Sequence, residues 1–232
     1  MLNVNEVCVL IPVKRLEQSK SRLSNILKAE ERSKLTLLML EDVVDKVKRF
    51  PNVFIVTGDD KVSSFSEKHG LRSLNSRKDD LNLDLNDANS WCIQSGAKST
   101  MILFADLPAL SVMDLAKILE LATEHPTAII APSNDGGTNV LLLQPSGLIE
   151  LNFGRDSYKR HLENLRNVGV KAKIYDSVGT RLDIDMIEDI QEFIRMKDFF
   201  IREPKTLTYL ESICLKSIPC ARACYSVNEK RK

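Results

Sequence analysis

A chain of 232 residues with 43% apolar and 28% charged side chains fits one domain with an ample core. Its formal charge of +1 excludes a broad nucleic-acid-binding face, so any basic site must be local. No run approaches the roughly 18 apolar residues of a membrane span, and the opening MLNVNEVCVLIPVK lacks a secretory pattern, so a cytoplasmic protein is expected.

Strand and helix patterns alternate from the start. EVCVLIPV (6–13) is a short β-branched run, as in a strand buried on both faces. It opens onto KRLEQSKSRL, which carries four cations, Lys14, Arg15, Lys20 and Arg22, but no glycine to bring backbone close to a phosphate. By itself the loop reads either as a phosphate site or as a solvated turn. Residues 29–49 place Leu35, Leu38, Met39, Val43 and Val47 near helical spacing, and Pro51 and Asn52 end that helix. A strand over 52–58, a helix over 61–69 and a short strand at 71–75 follow. Residues 76–84 are polar and predict a loop before a helix around 86–97.

TMILFA (100–105) is a strongly apolar strand, and Ser111 and Asp114 have near capping-box spacing for a helix through about residue 123. Strands at 127–132 and 139–144, a helix near 156–168, a strand at 170–176 and a last helix from Met186 to about 202 complete the pattern. The alternation predicts a three-layer α/β/α domain over 1–203 with a mainly parallel sheet and sites at strand carboxyl ends. Residues 204–232 read as an appendage with a frayed end. The five cysteines are odd in number and include no CxxC pair, so no disulfide framework is expected. CLKSIPCARAC matches no common zinc spacing and reads as reduced thiols.

Two acidic positions stand out. Asp106 follows the strand at 100–105, where a carboxylate suits a divalent cation and is costly to bury otherwise. A capping role for it is less attractive because Ser111 already caps the next helix. In TRLDIDMIEDI (180–190), Asp183 and Asp185 point to one side of an extended segment. Asp185 precedes a helical pattern and is expected to be its N-cap, which leaves Asp183 as the partner of Asp106 around Mg²⁺.

A second anion site is expected from SNDGGTN (133–139) and NFGRDSYKRHL (152–162). Gly136 and Gly137 allow exposed N–H groups or a plain turn, and the Thr138 hydroxyl can bind an anion. Gly154 and Ser157 sit at a helix start, a natural phosphate site. His161 alone is expected to be a surface histidine.

Together IPVK…KSRL, MLEDV, ADLPAL, DGGTN, FG..S…HL and LDID..ED resemble the 2-phospho-L-lactate guanylyltransferase family, within the Rossmann-like nucleotidyltransferases that include molybdenum-cofactor guanylyltransferases. The resemblance covers about residues 6–195. It implies transfer of GMP from GTP to a phosphorylated three-carbon acid (2-phospho-L-lactate, phosphoenolpyruvate or a phosphoglycerate) in synthesis of the deazaflavin coenzyme, factor 420. It further implies metal on Asp106 and Asp183 and acceptor phosphate on Thr138, Gly154 and Ser157. Related enzymes usually have glycines in the opening loop; without them here, Lys14, Lys20 and Arg22 are expected to meet GTP by side-chain charge, with Lys20, Asp106 and Asp183 the catalytic set. Base recognition falls on LDLNDA (83–88), including Asn86, with Asp84 where the family often has a glycine. A homodimer is also implied. The rival readings are another nucleotidyltransferase, a small glycosyltransferase using the D-x-D of LDID, and a non-catalytic nucleotide-binding module.

Overall fold

The computed structural model describes residues 2–76 and 80–217. In chain order the elements are β1 (Val7–Pro12), α1 (Ala29–Val47), β2 (Asn52–Thr57), α2 (Asp60–Lys68), β3 (Arg72–Asn75), α3 (Leu81–Gln94), β4 (Ser99–Leu103) and α4 (Val112–Leu121). β5 (Thr127–Pro132), β6 (Thr138–Gln144), α5 (Ser157–Asn167), β7 (Lys173–Ile174), α6 (Val178–Arg181), α7 (Ile187–Arg195) and α8 (Lys205–Ser217) follow. Seven strands form one sheet in the order β3-β2-β1-β4-β6-β5-β7. All its pairings are parallel except those of β6, which runs antiparallel to both β4 and β5.

β1 shows why the apolar run forms a central strand. Successive side chains alternate across the sheet. Val7, Val9 and Ile11 pack with Leu40, Val43 and Val44 of α1 and Leu115 and Ile118 of α4. Cys8 and Leu10 pack on the other face with Leu85 and Ala88 of α3 and Leu165 of α5. Helices therefore cover both faces, giving the expected three layers.

The structure departs from the sequence reading at several elements. α3 begins at Leu81 rather than near 86, because the Asp80 carboxylate accepts from the amides of Asn82 and Leu83 and caps it there. The expected strand at 170–176 shrinks to β7. The carboxylate pair at 183–185 follows α6 in a non-strand segment. Finally, where no disulfide framework was expected, Cys8 of β1 and Cys92 of α3 bring their sulfurs together between sheet and helix, across 84 residues of sequence. The thiols of CLKSIPCARAC lie outside the described part of the structure.

The sequence reading ends the domain at 203, whereas α8 is docked on the body. Leu207 and Leu210 share a cluster with Leu35 and Met39 of α1 and Ile190 and Phe193 of α7. Its start is capped from a distance: the buried Asp42 carboxylate of α1 accepts from the amides of Lys205 and Thr206, each at 2.9 Å. Replacing Asp42 with Ala leaves those donors unpaired and should cost about 1–2 kcal/mol. That predicts a fall in Tm of roughly 2–8 °C in a circular-dichroism melt; an unchanged Tm would mean that the Asp42 cap adds nothing to stability.

Candidate active site

The antiparallel β6 concentrates polar groups on one rim. Leu103 at the end of β4 pairs with Val140 near the start of β6, and the Phe104 amide donates to the Asn139 carbonyl at 3.1 Å. Asp106, just past β4, therefore shares a rim with Thr138 and Asn139. β1 runs parallel to β4, so the basic loop after Pro12 leaves from the same rim. A surface hollow of about 240 Å³ lined by Ile93, Lys98, His125 and Gly147 lies at the opposite end of these strands, away from every candidate residue.

The basic loop is folded tightly without glycine. Leu16 and Leu23 are buried, the Leu16 amide donates to Asp59 at 2.8 Å, and the Ser19 hydroxyl donates to the Leu16 carbonyl at 2.7 Å. Lys20 itself takes the left-handed backbone conformation, with φ 49° and ψ 40°, which costs a non-glycine residue energy and persists where the surroundings enforce it. Its side chain is only 7% exposed, and its ammonium bridges Asp106 Oδ2 at 2.7 Å and Asp185 Oδ1 at 2.8 Å. Burial pushes the Lys20 pKa down, but the two carboxylates outweigh it and hold the ammonium above its ordinary value. Arg22 is exposed and reaches Asp185 Oδ2 at 3.4 Å, while Lys14 is exposed beside it.

Asp185 thus corrects the sequence reading. It does not cap α7; Asp189 does, accepting from the Asp185 and Met186 amides at 2.9 and 2.6 Å. That frees the Asp185 carboxylate for Lys20. Burial raises its pKa, yet the charges of Lys20, Arg22 and Lys14 bring it below the ordinary value. The sequence signal was the D-x-D itself, misassigned by local capping arithmetic.

Asp183 has the opposite environment. Burial first, then the nearby Asp106 charge, push its pKa up to about 6, against the pull of a hydrogen bond from Asn139 Nδ2 at 3.1 Å. The Ile184 amide donates to the Asp106 carbonyl at 3.1 Å and ties the two acidic segments together. Asp106 Oδ1 is buried and has no hydrogen-bond partner among the described residues. An orphaned oxygen beside a second carboxylate that resists ionisation is a donor set short of positive charge. It fits a divalent cation of the oxygen-seeking kind. Among the described residues no three His, Cys, Asp or Glu side chains converge as a metal site; magnesium commonly takes only one or two carboxylates.

The second cluster is uncharged at its centre. Thr138 (4% exposed), Ser157 and His161 are buried together: His161 Nδ1 lies 3.1 Å from Thr138 Oγ1, and Ser157 Oγ donates to Thr138 Oγ1 at 3.3 Å. His161 is no surface residue, because β6 and the 152–153 segment enclose it. Gly154, with φ +111°, makes the left-handed turn into α5 that a side chain would disfavour. The two glycines of DGG do not offer a row of exposed amides: Gly137 N–H donates to Asp135 Oδ1 and Gly136 N–H to the Ser133 carbonyl.

Asn86 has its amide group committed. It donates to the Asn82 and Leu151 carbonyls at 2.8 and 2.9 Å and accepts from the Leu151 amide at 3.0 Å. Asn82, one helical turn earlier, makes the same two-way pairing with Phe153. The two asparagines hold the 151–153 segment against α3. Asp84 is buried and accepts a hydrogen bond from Ser76.

A mainly parallel three-layer sheet with acids and cations gathered on one rim is a Rossmann-like nucleotidyltransferase architecture. Solved structures with this fold include a nucleotidyl transferase from Methanothermobacter thermautotrophicus, at TM-score 0.59 and 17% identity over 84% of this chain and 98% of that one. Another, from Desulfovibrio desulfuricans G20 and described as a nucleotide-diphospho-sugar transferase, reaches TM-score 0.74 at 20% identity over 90% and 95%. Within that class the chain belongs to the CofC-like guanylyl transferase family, whose model matches residues 7–223. The 2-phospho-L-lactate guanylyltransferase of M. thermautotrophicus is 34% identical over 82% of this chain and 84% of its own length. The phosphoenolpyruvate guanylyltransferase of Thermobaculum terrenum is 30% identical over 84% and 86%.

The charge balance at the rim has a measurable consequence. With a native pKa near 6, Asp183 keeps a proton between pH about 4 and 6 that the unfolded chain has released. Stability therefore falls as pH rises through that window. Without divalent cation, Asp183→Asn should raise Tm at pH 7.5 by roughly 2–6 °C, and the gap should close below pH 4. Added Mg²⁺ should raise the Tm of the wild type but not of the variant. A lower Tm for the variant at pH 7.5 would show that Asp183 is not held against its charge.

Proposed function

We propose that the protein joins GMP from GTP to the phosphate of a small three-carbon phospho-acid, 2-phospho-L-lactate or phosphoenolpyruvate, and releases pyrophosphate, in synthesis of a deazaflavin coenzyme. The observation that supports this reading is one rim carrying two polar groups of different charge: the net acidic Lys20–Asp106–Asp183–Asp185 group and the uncharged Thr138–Ser157–His161 group. They are linked through adjacent residues of β6, Thr138 in the second group and Asn139 on Asp183. A transferase that joins two phosphorylated substrates needs two such places, and membership of the guanylyl transferase family supplies the nucleotide for one of them.

In the proposed step a phosphate oxygen of the acceptor attacks the α-phosphorus of GTP in line. A P–O bond forms, the α–β bridge breaks, and its electron pair leaves with pyrophosphate. The acceptor phosphate is already largely dianionic near neutral pH, since its second pKa is about 6. No general base is needed, and the neutral His161 is not asked to be one. Catalysis rests on positioning and charge. Lys14 and Arg22 line the loop where the triphosphate would lie, and Lys20 fixes Asp106 and Asp185. Thr138, Gly154 and Ser157 seat the acceptor phosphate. Asp106 and Asp183 would hold Mg²⁺, which when bound would offset triphosphate charge. Asn86 would act on the base only indirectly, by holding α3 to the 151–153 segment. A homodimer belongs to this reading through the family resemblance.

Incubation with Mg²⁺, GTP and each phospho-acid in turn should release pyrophosphate and form the diphosphate-linked product. Asp106→Ala should lower kcat by at least about 100-fold. Ser157→Ala should raise the acceptor KM by roughly 10-fold and the GTP KM by less than about 2-fold. Absence of turnover with both acids, or turnover that survives Asp106→Ala, would sink the mechanism; the reverse KM ranking would move the acceptor elsewhere.

A further inference from the structure

His161 is fully buried on α5, yet it makes polar contacts on both ring nitrogens. The Asn152 amide points at Nε2 from 3.2 Å, and a backbone N–H can only donate. Nε2 is therefore the acceptor nitrogen. Burial, aided by the Arg160 charge, pushes the His161 pKa down to about 4, so the ring is neutral. A neutral ring with Nε2 unprotonated carries its proton on Nδ1. That proton meets Thr138 Oγ1 at 3.1 Å. The edge-on ring of Phe153, with centroids 4.8 Å apart, restricts rotation of the imidazole.

The consequence falls on Thr138. Its hydroxyl oxygen accepts from His161 Nδ1 and also from Ser157 Oγ at 3.3 Å. A hydroxyl has two acceptor positions and one proton. With both acceptor positions filled, the Thr138 proton must point away from both partners, and among the described residues it has no acceptor. If the tautomer were reversed, Thr138 would turn its proton onto Nδ1 and present a lone pair to any incoming anion.

We infer that His161 is a positioning residue: held as the Nδ1–H tautomer by Asn152, it fixes the Thr138 hydroxyl as an outward donor for an acceptor-only oxygen, the phosphate of the second substrate. This rests on the placement of the acceptor at Thr138 and Ser157. It adds a reason why an anion is received there, because the hydroxyl meets it with a proton rather than a lone pair.

The test compares His161→Asn with His161→Gln. The Asn amide can occupy the Nδ1 position and keep the donor to Thr138, while losing the acceptor for Asn152. The Gln oxygen can occupy the Nε2 position and keep that acceptor, while losing the donor. Calorimetric titration with inorganic phosphate and with phosphoenolpyruvate should show His161→Gln weakened by about tenfold and His161→Asn within about threefold of wild type. GTP affinity should stay unchanged in both variants. ¹⁵N spectra of the histidine-labelled wild type, with the His161 signal identified by its loss in the variants, should show neutral Nδ1–H imidazole between pH 6 and 8. An Nε2–H tautomer, wild-type phosphate affinity in His161→Gln, equal losses in both variants that track their Tm, or no phosphate binding by the wild type would each overturn the inference. Phosphate binding with the expected ranking but no turnover of either phospho-acid would overturn the proposed reaction instead and leave this inference standing.

Discussion

The rim is organised around one buried ammonium. Lys20 places its charge between Asp106, on the loop after β4, and Asp185, on the loop before α7, and so ties three distant parts of the chain together. Burying charges costs several kcal/mol per ion unless each is paired in good geometry. Two contacts at 2.7 and 2.8 Å meet that condition for Lys20 and explain why its backbone is held left-handed at φ 49°. Removing Lys20 would leave two carboxylates facing each other beside a third, Asp183.

Even with Lys20 in place the group stays anionic. Asp183 is pushed towards its neutral form, and one Asp106 oxygen is left without a partner. A group so short of positive charge is what the proposed divalent-cation site rests on. The Thr138–Ser157–His161 group solves a different problem. It has no formal charge at its centre, and its polarity comes from hydroxyls whose directions are set by neighbours. One region is acidic and the other uncharged, and β6 reaches both through Thr138 and Asn139 on opposite sides of its pleat.

The two non-glycine residues with positive φ among the described residues are Lys20 and Asp156. One lies in the basic loop and the other at the start of α5, in the two places where anions are proposed to sit. Glycine usually fills such positions. Here the left-handed turn carries a side chain in each case, and at Lys20 that side chain pairs with Asp106 and Asp185. In KRLEQSKSRL the exposed cations include Lys14 and Arg22, while the Lys20 ammonium is committed to Asp106 and Asp185.

Much of the fold was legible in the sequence, because strand and helix periodicities are local. The alternation of apolar runs with 3.6-residue patterns located β1 to β6 and α1, α2, α4 and α5 within a few residues, and the family motifs pointed to Asp106, Asp183, Thr138, Gly154 and Ser157. What the sequence could not state were properties made by distant partners. The role of Asp185 depended on Asp189 taking over the cap and on Lys20 arriving from 165 residues away. His161 read as a surface residue because its burial comes from β6 and the 152–153 segment, not from α5 itself. Asn86 read as a base contact, while its amide is spent on Leu151, 65 residues on. α8 read as an appendage because its apolar face is matched only by α1 and α7, and its cap is Asp42. Local patterns determine which elements form; which nitrogen holds a proton and which carboxylate holds a charge are decided by tertiary contact, because both depend on burial and on neighbours that adjacency in the chain does not supply.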